Sequence, residues 1–316
     1  MQTISVRALF TEKAPRMAGR IPAPCYRLLE RLAHTRELNR YVHYCRSLSP
    51  REALAVAMSR LRLRYRVHTA SEWSGARGTA RADAALPQDS KITVVANHPL
   101  GGADALVMLD LLTKRYGQVH VPANDLVHVI GPLAPYFVPV NKHGSNQTNS
   151  RRLNELFASN APALVFPAGR TGRPAAGRLA DRRIVDFPWT KTFVTRSRRN
   201  GRTIVPVYID GRNSLRFYLV AWLRTRLAIK ANLEMLLLVD ELARCRGTTL
   251  DLVMGSPIDA ELLDPRRGDH QWAADLRAYV HALGDGRRED FFSWLRERRG
   301  EHGQEHGQNR VREVRS

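Results

Sequence analysis

The residues whose types and spacing best suit catalysis lie in the segment 97–104, which reads Asn-His-Pro-Leu-Gly-Gly-Ala-Asp. Pro99 disfavours an α conformation at His98, so the ring is expected in the turn before a helix. His98 and Asp104 cannot share one face of a continuous helix, but they meet if the turn folds back over the helix start. A carboxylate there would orient the imidazole and stabilise its protonated form. The segment predicts a general base with its orienting acid, and the alternative is a capped turn with an incidental histidine.

A second segment, residues 166–173, reads Phe-Pro-Ala-Gly-Arg-Thr-Gly-Arg and follows a short apolar run. Arg170 and Arg173 are expected to project from a loop, and each guanidinium can bind a phosphate through two parallel hydrogen bonds. The alternative is a solvated basic loop.

A third segment, residues 204–214, carries Pro206 inside a β-branched run. A proline there predicts a sheet edge, a bulge or a strand end.

Short apolar runs alternate with helical patterns along the chain, which predicts an α/β fold with a largely parallel central sheet flanked by helices. The predicted strands cover residues 91–96, 119–122, 137–140, 163–166, 203–209 and 250–255, and the predicted helices cover residues 103–115, 150–159, 190–200, 217–227, 269–283 and 289–298. Residues 1–88 are predicted to be helical, with a helix start at Ser49-Pro50-Arg51-Glu52. Residues 73–90 are predicted to form a loop.

The charge is strongly positive, with 50 Lys and Arg against 30 Asp and Glu, a net charge of +20. Such a balance favours a partner with negative charge, such as nucleic acid, an anionic membrane, an acidic protein or a phosphorylated substrate. All but six of the basic residues are arginine, a bias that GC-rich coding also produces, so the charge alone does not choose among these partners.

The three cysteines do not suffice for a disulfide framework or a four-thiolate zinc site. Neither a signal peptide nor a membrane-spanning run is recognisable.

The three segments, in this order and spacing, resemble the glycerolipid (PlsC-like) acyltransferase superfamily. Residues 97–104 are similar to its His-x(4 or 5)-Asp block, residues 166–169 to its Phe-Pro-x-Gly block, and residues 205–207 to its Val-Pro-Val block. The Asn-His-Pro wording is closest to the hemolysin-like acyltransferase branch, which includes relatives linked to ornithine- and glycine-lipid synthesis. The resemblance covers about residues 85–260. Together with the sequence pattern it predicts three regions: N-terminal helices over residues 1–88, an acyltransferase catalytic domain over 89–262, and C-terminal helices with a disordered tail over 263–316.

The resemblance implies transfer of a fatty acyl group from a thioester, on acyl carrier protein or coenzyme A, to a hydroxyl or amine of a polar lipid precursor. His98 and Asp104 would be catalytic, while Arg170, Arg173 and Gly169 would bind substrate. Gly101 and Gly102 would let the substrate approach the backbone, and their N–H groups would stabilise the oxyanion. We expect no metal and no tightly bound cofactor.

The expected location is the cytoplasmic face of the membrane, with peripheral attachment to anionic lipid. Apolar, arginine-bearing residues 215–226 could rest there, or they could form a core helix with solvated ends. The acceptor is open between a lyso-aminolipid and lysophosphatidate, because Ala168 and Arg170 stand where relatives commonly carry glutamate. Two further alternatives are a non-catalytic membrane-binding protein and a nucleic-acid-binding protein, although no specific nucleic-acid motif is present.

Overall fold

The computed structural model describes residues 4–13, 18–73, 86–123, 125–140, 146–177, 181–226 and 233–300. The predicted tail at 301–316 and most of the predicted loop at 73–90 therefore lie outside the described residues.

The central sheet forms around the most apolar predicted strand, Ile92–Ala96, whose five residues are all buried. The strands in chain order are β1 Arg64–Thr69, β2 Ile92–Ala96, β3 Val121–Ala123, β4 Phe137–Pro139, β5 Ala163–Val165, β6 Arg173–Pro174, β7 Ile184–Val185, β8 Thr203–Ile209, β9 Thr249–Met254 and β10 Ile258–Asp259. The central sheet has the order β1-β9-β8-β2-β5, and β10 also pairs with β8. β2 is parallel to both β5 and β8, and β1 is parallel to β9, whereas β8 is antiparallel to β9 and β10. The predicted α/β fold with a largely parallel sheet is confirmed.

Helices cover both faces of this sheet. They are α1 Val6–Lys13, α2 Ala23–Leu32, α3 Thr35–Tyr44, α4 Pro50–Leu61, α5 Ala103–Tyr116, α6 Asn146–Ala158, α7 Thr192–Arg199, α8 Leu215–Arg226, α9 Leu233–Arg244, α10 Asp269–Gly284, and α11 at 291–300. Val94 of β2 packs in one core cluster with α4 and α5, while its neighbour Val95 packs in a second cluster with α7 and α10. Alternate residues of one buried strand therefore supply both cores. Within the described part of the chain, no helix has the length and apolar composition that a bilayer span requires.

Two details of the N-terminal region test the sequence predictions. The helix start before α4 is confirmed, since Ser49 and Glu52 form a reciprocal capping box. The wholly helical prediction for residues 1–88 is wrong at β1, which pairs with β9 along its full length. Arg66 and His68 of β1 both contact Asp251 of β9. These polar residues alternate with Tyr65 and Val67, which is the period of a strand and not of a helix. The region boundaries at 88 and 262 stay predictions.

Pro206 lies where β8 changes its antiparallel partner. Ile204 of β8 pairs with β10, Val207 pairs with β9, and the Pro206 carbonyl accepts from the N–H of Gly255 at 2.9 Å. Pro206 also pairs with Val95 of β2, so it lies inside a central strand, and the predicted sheet edge and strand end are wrong. The register of β8 against β9 and β10 shifts by one residue across Pro206, in agreement with the predicted bulge.

Candidate active site

The three sequence segments converge at one edge of the sheet. β5, β2 and β8 are neighbouring parallel strands, so their carboxyl ends lie side by side. The first segment follows β2, the second follows β5 and the third continues from β8. The carboxyl edge of a parallel sheet is where α/β proteins place their ligands. Residues that are far apart in the chain are therefore brought together by strand order alone.

Asn97 fixes the turn that carries the histidine. Its Oδ1 accepts from the N–H of Ile209 at 2.6 Å, and its Nδ2 donates to the Ile209 carbonyl at 2.9 Å. The side chain thus extends the pairing between β2 and β8 by one position beyond the end of β2. The chain then leaves the sheet at His98 with little freedom to move.

His98 and Asp104 meet as the sequence predicts. His98 Nδ1 lies 3.1 Å from Asp104 Oδ2, and the two side chains are 16% and 0% exposed. The Asp104 carboxylate also accepts from the N–H groups of Leu100 and Gly101, both at 3.0 Å, and of Ala105 at 2.8 Å. Those contacts fold residues 98–101 back over the start of α5. Because Nδ1 faces the carboxylate, Nε2 is the nitrogen left to exchange a proton with a substrate.

The electrostatics of this pair favour its charged form. Burial by itself would lower the pKa of His98, but the charge of Asp104, with a smaller contribution from Asp186, raises it above its ordinary value. Burial by itself would raise the pKa of Asp104, but His98 and the N–H groups of Leu100 and Gly101 lower it. Both directions show an aspartate that stays ionised and an imidazole that holds a proton more firmly than a free histidine.

The second segment forms one wall of the site. The ring of Phe166 stacks on the His98 ring, with centroids 4.3 Å apart and planes inclined at 31°. The N–H of Gly172 donates to the His98 carbonyl at 2.9 Å. A Cβ on Gly172 would meet Ile184, the Val185 carbonyl and the Asp186 carboxylate at 2.8 to 3.3 Å, so this position needs glycine.

The predicted part of Gly101 in oxyanion binding stays a prediction. Its N–H already has an acceptor in this structure, since it donates to Asp104 Oδ2. Its φ of +84° favours glycine, and a Cβ there would lie 2.8 Å from Thr171 and 2.9 Å from Leu238. Gly101 therefore shapes the turn that holds the catalytic pair. Gly102 precedes α5 as its N-cap, and its role toward substrate stays a prediction.

The two arginines of the second segment differ in their surroundings. Arg170 is exposed, and its guanidinium lies 3.9 Å from the ring centroid of Phe187. Arg173 is half-buried and donates to the Thr171 carbonyl and hydroxyl at 3.1 and 2.9 Å, and to the Gly172 carbonyl at 3.2 Å. Gly169, with a φ of +63°, is the exposed corner of their loop. Part of the donor capacity of Arg173 thus serves its own loop, and phosphate binding by either arginine stays a prediction.

Asp186 is a residue of the site that the sequence analysis missed. Its carboxylate, 3% exposed, accepts from the N–H of His98 at 3.1 Å and from the indole N–H of Trp189 at 2.8 Å. Its own N–H donates to Nε2 of His281, whose pKa burial lowers to about 4, so that this ring is neutral. Burial also raises the pKa of Asp186, against the opposing effect of Trp189 and His98. A lone acid in the loop after β7 carries no sequence signal of this role.

The third segment closes the site from the other side. Asn213 Nδ2 donates to the Pro99 carbonyl at 3.2 Å, and the N–H of Asn213 donates to the Tyr218 hydroxyl at 3.0 Å. Ser214 is tied to the buried carboxylate of Glu241 on α9 through both its N–H and its hydroxyl. α8 and α9 are thereby fastened to the turn that holds His98.

The arrangement suits removal of a proton from an attacking hydroxyl. An ionised, buried carboxylate orients the imidazole through one nitrogen, and the second nitrogen can accept the proton.

Comparison with known proteins identifies the reaction class. The family model described as "Acyltransferase" matches residues 7–282.

Two proteins named lyso-glycine lipid O-acyltransferase are similar to this chain. The one from Phocaeicola vulgatus is 39% identical over 200 residues, which cover 63% of this chain and 70% of the relative. The one from Bacteroides thetaiotaomicron is 31% identical over 282 residues, which cover 89% of this chain and 97% of the relative. The crystal structure of the 1-acyl-sn-glycerophosphate (LPA) acyltransferase PlsC from Thermotoga maritima aligns with a TM-score of 0.43 at 14% identity, covering 88% of this chain and 87% of that one. Since the family match spans most of the sequence, the chain belongs to the acyltransferase family and is an enzyme of that family.

Proposed function

We propose that this enzyme transfers a fatty acyl group from a thioester to the hydroxyl of a lyso-aminolipid, with His98 as the general base. The observation that carries the proposal is the buried His98–Asp104 pair, 3.1 Å apart, at the carboxyl edge of the sheet. The names of the two lyso-glycine lipid O-acyltransferase relatives support a lipid acceptor and an oxygen nucleophile.

The proposed step moves one proton and exchanges one bond. The acceptor oxygen attacks the thioester carbonyl carbon while its proton passes to Nε2 of His98. The tetrahedral intermediate collapses, the carbon–sulfur bond breaks, and the leaving sulfur takes the proton from His98 to become a thiol. Asp104 stays ionised and stabilises the imidazolium that forms between the two transfers. General-base assistance of this kind contributes roughly 10²–10⁴-fold to a rate.

The remaining parts of the proposal concern the partners. The donor is acyl carrier protein or coenzyme A, both of which carry negative charge that the net charge of +20 favours. Arg170 and Arg173, next to the His98 turn, are proposed to bind a phosphate of donor or acceptor, and Gly102 is proposed to donate to the oxyanion. Peripheral attachment to the cytoplasmic face of an anionic membrane would give access to the lipid acceptor.

Lysophosphatidate is the second candidate acceptor. The observation that favours it is the exposed guanidinium of Arg170, which lies over the ring of Phe187, the residue after Asp186. The names of the relatives favour the aminolipid instead.

A comparison of acceptors tests the proposed function. Purified enzyme is given acyl-coenzyme A or acylated carrier protein together with a lyso-glycine lipid or with lysophosphatidate, and diacylated product is measured by mass spectrometry. We expect a preference for the lyso-glycine lipid of at least about tenfold in kcat/KM, which corresponds to ~1.4 kcal/mol. The reverse preference would select lysophosphatidate. Failure to acylate either acceptor with either donor would contradict the proposal and favour a non-catalytic, membrane-binding protein.

A further inference from the structure

One face of α8 is both apolar and exposed. Leu215, Leu219, Trp222 and Leu223 are between 41% and 58% exposed. They recur at intervals of three and four residues, so they lie on one side of the helix. Large apolar side chains are common on protein surfaces one at a time, but a contiguous set marks an interaction surface. We call these four residues the α8 face.

The opposite side of α8 already forms part of the core. Phe217, Tyr218 and Ala221 are nearly or completely buried, and the first two pack with Leu237 of α9. The guanidinium of Arg173 lies 5.1 Å from the centroid of the Phe217 ring. α8 is therefore apolar on both sides. Only the side with Phe217, Tyr218 and Ala221 packs against other described residues of the chain. An additional apolar side on a helix needs a second apolar environment.

α8 is also attached to the catalytic turn. It starts directly after Ser214, and the preceding Asn213 donates through its side chain to the Pro99 carbonyl and through its N–H to the Tyr218 hydroxyl of α8. Whatever the α8 face contacts is thus linked, through Asn213, to the turn that carries His98. A surface that orients the active site relative to a membrane suits an enzyme whose acceptor is a lipid of that membrane.

The charges around the α8 face indicate an anionic lipid surface. Arg226 is exposed at the C-terminal end of the α8 face, and Arg216, at the other end, is also exposed although its guanidinium pairs with Asp240 of α9. The nearby helix α2, whose Leu32 packs against the α8–α9 cluster, exposes Leu28 between Arg27 and Arg31. Tryptophan prefers the headgroup level of a bilayer, and arginine stems extend toward lipid phosphates. Apolar residues with basic neighbours are typical of helices that lie in the membrane interface.

We propose that the α8 face lies in the interfacial layer of an anionic bilayer and so holds the His98 turn at headgroup level. The proposal rests on the proposed function in one respect, namely that the acceptor is a membrane lipid. It names the surface through which the enzyme reaches that acceptor.

Vesicle flotation of the full chain tests the docking surface directly. Wild type, the double variant Leu219→Glu with Trp222→Glu, and the control Leu262→Glu are mixed with vesicles of phosphatidylglycerol and phosphatidylcholine or of phosphatidylcholine alone. Leu262 is the matched control because it is 62% exposed and lies in a separate short helical turn. We expect the double variant to partition to anionic vesicles at least about tenfold more weakly than wild type. Wild type and the Leu262→Glu control should bind anionic vesicles equally well. Both should bind vesicles of phosphatidylcholine alone only weakly.

Two further measurements separate the possible outcomes. With a short-chain, water-soluble lyso acceptor the double variant should keep wild-type activity, whereas with acceptor in vesicles its activity should fall with its binding. Wild-type flotation by the double variant would overturn the proposal. A changed oligomeric state in size-exclusion chromatography, with flotation unaffected, would overturn it in favour of a contact between copies. Flotation needs no turnover, so failure of the proposed function would not affect this result.

Discussion

His98 is subject to two opposing influences on its proton affinity. Burial disfavours the imidazolium, while the carboxylates of Asp104 and Asp186 favour it, and the net effect raises the pKa of His98. A base with a raised pKa accepts a proton readily but is occupied by one over a wider range of acidic pH. If the proposal is correct, this combination favours proton transfer from the acceptor hydroxyl, and we expect the reaction to be sensitive to acid.

The pH dependence of kcat/KM should show this directly. The proposed base His98 can accept a proton only when it is neutral, so we expect activity to rise with pH through the pKa of His98 and to reach its plateau above it. We expect the midpoint of this acidic limb above the ordinary histidine value of about 6.5. In Asp186→Asn, one negative charge near His98 is lost, so the limb should move to lower pH and kcat should fall.

The Asp186→Asn variant removes the charge while it keeps a hydrogen-bond acceptor at this position. The new amide oxygen can still accept from the His98 N–H, but its NH2 group then faces the indole N–H of Trp189, which loses its acceptor. Circular dichroism and thermal unfolding check that the fold persists. If the variant lowers kcat without moving the acidic limb, Asp186 has no electrostatic influence on His98. The His98–Asp104 pair was predictable from the single segment 97–104, whereas Asp186 was not, because its contact with His98 spans 88 residues and depends on the fold.

Arg202 stabilises the elements that meet at the amino ends of β2 and β8, opposite the sheet edge that carries His98. Its side chain is fully buried and donates to the carbonyls of Phe157, Ser159, Ala161 and Ile92, and to the hydroxyl of Thr93. Arg202 directly precedes β8. Its hydrogen bonds join three elements at this point: the end of α6, the start of β5 and the start of β2. Burial lowers the pKa of this guanidinium to about 10, so it remains charged near neutral pH.

Replacing this arginine should destabilise the protein. Arg202→Met leaves several buried carbonyl oxygens without their donor, and we expect the free energy of unfolding to fall by about 3–5 kcal/mol. Urea denaturation followed by tryptophan fluorescence measures the change. Arg199→Met, on an exposed position of α7, is the control and should stay within about 0.5 kcal/mol of wild type. Equal stability of the two variants would contradict the structural role of Arg202.

Much of the arrangement of elements follows from sequence pattern. β2, β5 and β8 are continuous β-branched or apolar runs, and the rule that parallel strands end at one edge brings their three segments together. β1 does carry a local strand signal, since Arg64, Arg66 and His68 alternate with its less polar residues, and the helical prediction overlooked this alternation. The partner of β1 was not predictable, because Asp251 of β9, which binds two of those side chains, is distant in the chain.

The whole molecule combines a strong positive charge with a directional apolar surface. The net charge of +20 points to anionic partners without locating them. The fold adds location, since the catalytic edge, the loop of Arg170 and α8 are connected through the turn at residues 97–101. In the proposed account, the charge would attract the protein to an anionic membrane or donor, and the α8 face would orient it on the membrane.

The central claim is that His98 is the base of a lipid acyl transfer, and one rate measurement tests it most directly. Wild type and His98→Gln are compared under single-turnover conditions with thioester donor and lyso-glycine lipid in anionic vesicles, with flotation and thermal unfolding as checks that binding and fold persist. We predict a fall of roughly 10²–10⁴-fold in the transfer rate with binding unchanged. A His98→Gln enzyme that transfers acyl groups at the wild-type rate would contradict the account.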